Sequence, residues 1–220
     1  MTDSATSGPT RWIAAAAGEQ HRLLDSLEGL EASGDLDVAA ASLLPDWTIA
    51  HVITHVVNSG DGHLRMLAAA ARGEIGVQYP GGREQREGEI QEGARRSAAE
   101  LLADLRRGTD ALEAQWAAMP TWAGTGMSMG GEVPVADLPF LRIREVAIHH
   151  IDLGLGATFD GLPAEYLREE LRRMEMLWAA RQPMGMTQLP SAALHAAPPT
   201  RLAWLMGRTS IAGIARAGIY

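Results

Sequence analysis

The chain has 220 residues, 46% of them hydrophobic and 21% charged, which is enough for one domain of generous size or one domain with an appendage. All 19 basic residues are arginine and none of the residues is cysteine, so lysine Schiff bases, disulfides, iron–sulfur clusters and a protein thiol nucleophile are excluded. The net charge of −8, with no basic cluster, argues against a nucleic-acid partner.

The periodicity of the apolar residues predicts a mainly helical protein. It indicates five helices, over approximately residues 10–30, 46–72, 90–119, 135–153 and 163–181. Glycine and proline interrupt the pattern over 73–82, where we predict a loop, and over 120–134, where we predict an irregular connection. After Pro183, Thr187 to Leu194 is compatible with a short strand, which Pro190 weakens, and Thr200 to Met206 with a short helix.

This order of elements predicts a helical bundle over residues 1–182 and a small C-terminal α/β appendage over residues 183–220. No apolar run approaches the roughly 18–20 residues that a membrane span needs. The first residues show no basic segment followed by an apolar stretch, the pattern of a secretory signal. We therefore expect a cytoplasmic protein that does not bind membranes. Its oligomeric state stays open, with a homodimer among the options.

Two pairs of side chains that can bind metals stand out in the predicted second and fourth helices. His51 and His55 are four residues apart, and so are Glu145 and His149, so each pair projects from one face of a helix. Apolar residues surround both pairs, and a buried imidazole or carboxylate is costly unless it is paired or binds a metal. Two imidazoles and a carboxylate could hold zinc or iron(II) with coordination positions left open.

The residues around these pairs resemble a known superfamily. Residues 44–56, LPDWTIAHVITHV, resemble the signature of the DinB-like metalloenzymes, in which a ligand histidine follows the tryptophan by eight positions. Residues 144–153, REVAIHHIDL, are similar to the second signature of the branch that depends on mycothiol. Residues 201–208, RLAWLMGR, are similar to a C-terminal segment of the mycothiol-dependent maleylpyruvate isomerase family.

Carried over residue by residue, the resemblance implies that His55, Glu145 and His149 are the metal ligands and that His51 is a bystander. It implies that the bundle is a DinB-like four-helix bundle, with zinc or a similar divalent ion as cofactor. Arg208, by its motif, and Arg144, by its position beside a ligand, are candidates for holding an anionic substrate. Asp152, three residues after His149, is a candidate cofactor-site residue that would orient an imidazole, although it could equally cap the helix end.

The resemblance also implies the chemistry. A metal-bound mycothiol thiolate would add to the cis double bond of maleylpyruvate, the new single bond would rotate, and loss of the thiolate would leave the trans isomer. Two alternatives remain at this point. The same thiolate could be transferred to an electrophile by an S-transferase, or the bundle could bind a metal or ligand without turnover. In either enzymatic case the partners are a low-molecular-weight thiol and a small electrophile.

Overall fold

The computed structural model describes residues 8–182 and 188–217. Contacts between Cα atoms divide the chain into two compact units, Met1–Leu155 and Gly156–Tyr220. The sequence placed this boundary at 182/183, whereas residues 156–181 group with the C-terminal unit. The structural reason is that the helix over 164–181 packs against the last helix of the chain.

The first unit is built on four long helices, as the sequence predicts. Helices α1 (Thr10–Ser33), α2 (Ile49–Ala70), α4 (Ala98–Ala118) and α5 (Leu138–Asp152) form the bundle. α1 and α2 each pack against both α4 and α5. Their buried faces are leucine-, valine- and isoleucine-rich, and the rings of Trp12 and Phe140 meet edge to face at 4.9 Å between α1 and α5. The prediction of a mainly α fold around a four-helix bundle is confirmed.

The third helix differs from its prediction. In place of one helix over 90–119 there are two, α3 (Gly82–Gly93) and α4, separated by a short turn. Ser97 and Glu100 form a capping box at the start of α4: the Ser97 N–H donates to Glu100 Oε2 at 2.9 Å, and the Glu100 N–H donates to Ser97 Oγ at 3.4 Å. This cap starts a new helix, and α3 packs against α2.

The predicted loop and irregular connection contain a small sheet. Strand β1 (Gly76–Val77) pairs in parallel with β2 (Thr125–Ser128), which pairs antiparallel with β3 (Gly131–Pro134). The sheet lies on α2, because a Cβ at Gly76 would be 2.6 Å from the Met66 Cα and one at Gly126 would be 2.8 Å from the Met66 Sδ. Glycine is thus required where these strands cross the helix.

The described residues of the second unit include three α-helices, α6 (Ala164–Arg181), α7 (Ser191–His195) and α8 (Pro198–Leu205). The Trp178 and Trp204 rings lie 5.2 Å apart where α6 meets α8. The strand predicted over 187–194 is wrong for the described residues 188–194, where α7 begins after Pro190. Thr187 lies outside the described residues. Pro190 lacks the N–H that a strand would need, but it fits the position before a helix.

Candidate metal centre

The candidate ligands come from two neighbouring bundle helices. His55 lies in the second turn of α2, and Glu145 and His149 lie one turn apart on α5. The side chain of His55 is 8% exposed, that of Glu145 27% and that of His149 14%. The three therefore lie at the edge of the bundle core, and two of them are partly exposed.

The three side chains converge. One ligand atom from each of His55, Glu145 and His149 lies within 4.8 Å of the other two. His55 Nε2 is 3.2 Å from Glu145 Oε2, and the centroids of the two imidazole rings are 4.6 Å apart, with the rings nearly perpendicular. Among the described residues this is the one cluster of three such side chains. Such a donor set suits a divalent metal ion.

Asp152 lies behind His149. Its carboxylate Oδ2 is 2.9 Å from His149 Nδ1, and the aspartate is fully buried in the last turn of α5. The ring N–H does not point directly at the oxygen, so the pair is a close contact instead of a linear hydrogen bond. A carboxylate at Nδ1 leaves Nε2 of the same ring free to bind a metal.

Burial and neighbouring charges set the protonation of the cluster. Burial lowers the pKa of His55 to about 4, although the hydrogen bond to Glu145 works against this shift. Burial would raise the pKa of Glu145, but the His55 hydrogen bond and the charges of the histidines around it hold that pKa well below its usual range. At neutral pH, His55 is therefore neutral and Glu145 ionised, which are the forms that bind metals.

Two further residues that lie next to His55 were not predicted from the sequence to be part of the site. Arg86, on α3, has its Nη2 at 3.4 Å from His55 Nδ1. The ring of Trp47 lies 5.6 Å from that of His55, edge to face, and 6.2 Å from the His51 ring, nearly parallel. Arg86 falls between the predicted loop and the predicted third helix, so no pattern marked it. Trp47 is half-buried and also packs against the apolar core of the bundle.

The other histidines of α2 and α5 stay outside the cluster. His51 caps its own helix, because its Nδ1 accepts the Thr48 N–H at 3.2 Å and lies 2.8 Å from Thr48 Oγ1. His63, two turns beyond His55, is buried, and its Nδ1 has no hydrogen-bond partner among the described residues. His150 is buried next to His149 in sequence, on another side of α5.

The two predicted arginines occupy different units. Arg144 is half-buried on α5, immediately before Glu145. Arg208 follows α8 in the second unit, where its Nη1 donates to the Met206 carbonyl at 2.8 Å. Their contact with a substrate stays a prediction.

The bundle is DinB-like, with two imidazoles and a carboxylate gathered from two helices. The model of the mycothiol maleylpyruvate isomerase N-terminal domain matches residues 14–154, and the chain belongs to that family. A crystal structure of mycothiol-dependent maleylpyruvate isomerase is 25% identical, with a TM-score of 0.73, over 82% of this chain and 75% of that one.

A histidine-to-alanine mutant of mycothiol-dependent maleylpyruvate isomerase matches with the same TM-score and coverage at 24% identity, and so supports the fold. A search of curated proteins found no match. Within the part of the chain that the structure describes, no helix combines the length and the apolar character needed to cross a membrane.

Proposed function

We propose that this protein is an enzyme of the mycothiol-dependent maleylpyruvate isomerase type. It would use a divalent metal and a low-molecular-weight thiol to isomerise an electrophilic cis double bond. The observation that carries this proposal is the convergence of His55, Glu145 and His149 inside the domain that the family model matches. Mycothiol is the thiol of first choice, and the proposed location is the cytoplasm.

The charge of the donor set and one of its distances support a divalent metal. Bonds of about 2.0–2.1 Å around a tetrahedral metal separate neighbouring donors by about 3.3–3.4 Å. The 3.2 Å between His55 Nε2 and Glu145 Oε2 is close to that separation. Two imidazoles and one carboxylate suit zinc, which we propose first, and also iron(II).

The chemistry follows from what the chain holds and what it lacks. A bound metal would supply a Lewis acid that keeps an incoming thiol in its thiolate form. The chain has no cysteine, so the sulfur must come from a small molecule. In the proposed reaction the sulfur adds to one carbon of the double bond, the resulting single bond rotates, and the same sulfur leaves. Neither an oxidant nor a reductant is consumed.

The protein's own side chains would hold and orient these partners. Asp152 is proposed to fix the His149 ring so that the same nitrogen always faces the metal. Arg144 is proposed to hold a carboxylate of the second substrate through paired N–H donors. Arg208 is proposed for such a role only from the resemblance of its motif. These roles explain why α5 carries an arginine, two ligands and a buried aspartate within nine residues.

An S-transferase that uses the same thiol is the second candidate. The family match covers residues 14–154, which contain the whole donor cluster, but it does not extend to Arg208. The match therefore supports the thiol-activating part more strongly than the part that would select the electrophile. An enzyme with this donor cluster could pass the thiol to another acceptor instead of expelling it.

Metal analysis tests the first half of the proposal. Purified protein, reloaded with zinc after treatment with a chelator, should bind one metal per chain, and His55→Ala should lose it. His51→Ala is the matched control, because His51 lies one turn away on the same helix and outside the cluster. Stoichiometric metal in His55→Ala would refute the assignment of the ligands.

Turnover tests the second half. Maleylpyruvate is offered with and without mycothiol, beside a panel of other electrophiles. Thiol-dependent formation of the trans isomer, with the thiol recovered, would support the isomerase. Consumption of the thiol with a stable adduct would support the transferase. A metal-loaded protein that does neither with any electrophile would overturn both and leave a binding protein.

A further inference from the structure

A buried arginine joins the two helices that carry the candidate ligands. Arg142, on α5, is 1% exposed. Its Nε donates to Gln20 Oε1 on α1 at 2.8 Å, and its Nη1 donates to the Val56 carbonyl on α2 at 2.8 Å. Within residues 8–182 and 188–217 no carboxylate lies at ion-pair distance from this guanidinium. One side chain thus ties three bundle helices together.

Gly60, which has no side chain, leaves the space that the Arg142 guanidinium occupies. A Cβ at Gly60, in the middle of α2, would lie 3.3 Å from Arg142 Nη2 and 3.4 Å from the guanidinium carbon. Glycine inside a helix costs about 1 kcal/mol relative to alanine. The arginine fills the space that the missing side chain leaves, which accounts for a glycine inside this helix.

The guanidinium stays charged in this setting. Burial lowers the pKa of Arg142 to about 10, and attraction to Glu145 and Asp61 opposes the shift. A buried charge of this kind is tolerated when its N–H groups are hydrogen-bonded and opposite charges stand nearby. Glu145 is one of those opposite charges and also a candidate ligand.

Arg142 lies within one helical turn of Glu145 and binds the backbone of the residue next to His55. Val56, whose carbonyl it binds, is the residue after His55. Arg142 itself precedes Glu145 by three residues, which is about one helical turn. The hydrogen bond from Arg142 to Val56 therefore joins the turn of α2 that carries one ligand to the turn of α5 that carries another.

We propose that Arg142 is a positioning residue for the metal centre, setting the spacing between His55 and Glu145 through its bonds to Val56 and Gln20. The inference rests on the proposed function, since it needs a metal at the cluster. Arg142 does not touch the metal or the substrate. It fixes where two of the ligands stand before the metal arrives, so less reorganisation is needed on binding.

The test measures metal affinity and stability separately. Arg142→Met keeps the length of the side chain but removes the donors and the charge. In a chelator competition with zinc, we expect its dissociation constant to rise about tenfold to hundredfold, the range seen when residues supporting metal ligands are removed. Loaded with cobalt(II) in place of zinc, the same variant should show an altered visible absorption spectrum, which reports the coordination geometry.

Arg201→Met is the matched control. Arg201 also binds backbone carbonyls, those of Leu194 and Ala196, and pairs with Glu175 at 3.0 Å, but it belongs to the second unit. We expect this variant to lower the melting temperature while keeping the wild-type zinc affinity and cobalt spectrum. A loss of affinity in the control as large as in Arg142→Met would show a general effect of destabilisation and overturn the inference.

The remaining outcomes separate this inference from the proposed function. If the wild-type protein binds no zinc, the proposed function fails and the role of Arg142 with it. If the wild type binds zinc and a folded Arg142→Met binds it equally well, the positioning role alone is overturned. If Arg142→Met does not fold, the zinc affinities of Arg142→Lys and Gly60→Ala are measured in its place. Weaker zinc binding in either folded variant supports the inference, and wild-type binding in both refutes it.

Discussion

The buried His63 should make the metal-free protein unusually sensitive to acid. Burial and the charge of Arg142 lower its pKa to about 4, against an ordinary value of 6.5, and Glu145 only partly offsets this shift. The folded protein therefore binds a proton at His63 less readily than the unfolded chain does. Stability is present above pH 6.5 and is lost as the pH falls towards 4.

The size of the effect follows from this shift. Between about pH 7 and pH 5 the unfolded chain takes up most of a proton at this position and the folded chain almost none, which removes about 2 kcal/mol of stability. Complete titration would remove about 3 kcal/mol. A loss of this size is a large part of the stability of an ordinary domain, which is about 5–15 kcal/mol.

Urea unfolding of the metal-free wild type and of His63→Asn, followed by circular dichroism at several pH values, measures this contribution. Asparagine does not titrate, so the difference in stability between the two proteins should shift by about 2 kcal/mol from pH 7 to pH 5, in favour of the variant. His195→Asn, at an exposed position, is the control substitution. A constant difference between wild type and His63→Asn would refute the reasoning.

Three other substitutions test separate parts of the structure. Asp152→Asn should weaken zinc binding about tenfold to hundredfold in a chelator competition, because it removes the charge next to His149 Nδ1; unchanged affinity would contradict this. Ser97→Ala should lower the unfolding free energy by about 1 kcal/mol in urea, through loss of the capping box, and an unaffected midpoint would argue against that role. Gly76→Ala should destabilise the folded protein by about 1–3 kcal/mol, because the new Cβ would meet the backbone of α2 at 2.6 Å. An unchanged melting temperature would refute this expectation.

The bundle and the shared helix face of Glu145 and His149 could be predicted from the sequence because both depend on local spacing, whereas the role of these residues as ligands stays a prediction. Apolar periodicity identified α2 and α5, and a separation of four residues placed Glu145 and His149 on one face. The choice of His55 over His51 needed the resemblance as well, since spacing alone treats the two equally. In the structure, His51 caps the helix from which His55 reaches the cluster.

The strands and the position of Arg86 could not be predicted from the sequence, because they depend on contacts between distant segments. The three strands are short and rich in glycine, and they form where the chain crosses α2, so their own composition gives little strand signal. Arg86 reaches His55 from α3, most of which lies between the predicted loop and the predicted third helix. The break before α4 is different, because Ser97 and Glu100 show the sequence pattern of a capping box and could have been recognised.

The residues proposed to bind or position the metal all come from one part of the chain, and this affects how such a protein can diversify. His55, Glu145, His149, Asp152 and Arg142 all belong to the first compact unit, and none of them comes from residues 156–220. A gene that keeps the first unit intact therefore keeps every side chain proposed to bind or position the metal. The C-terminal segment can accumulate substitutions, or be exchanged, without altering that set. New substrate specificities could in this way arise around an inherited domain that carries the proposed metal site.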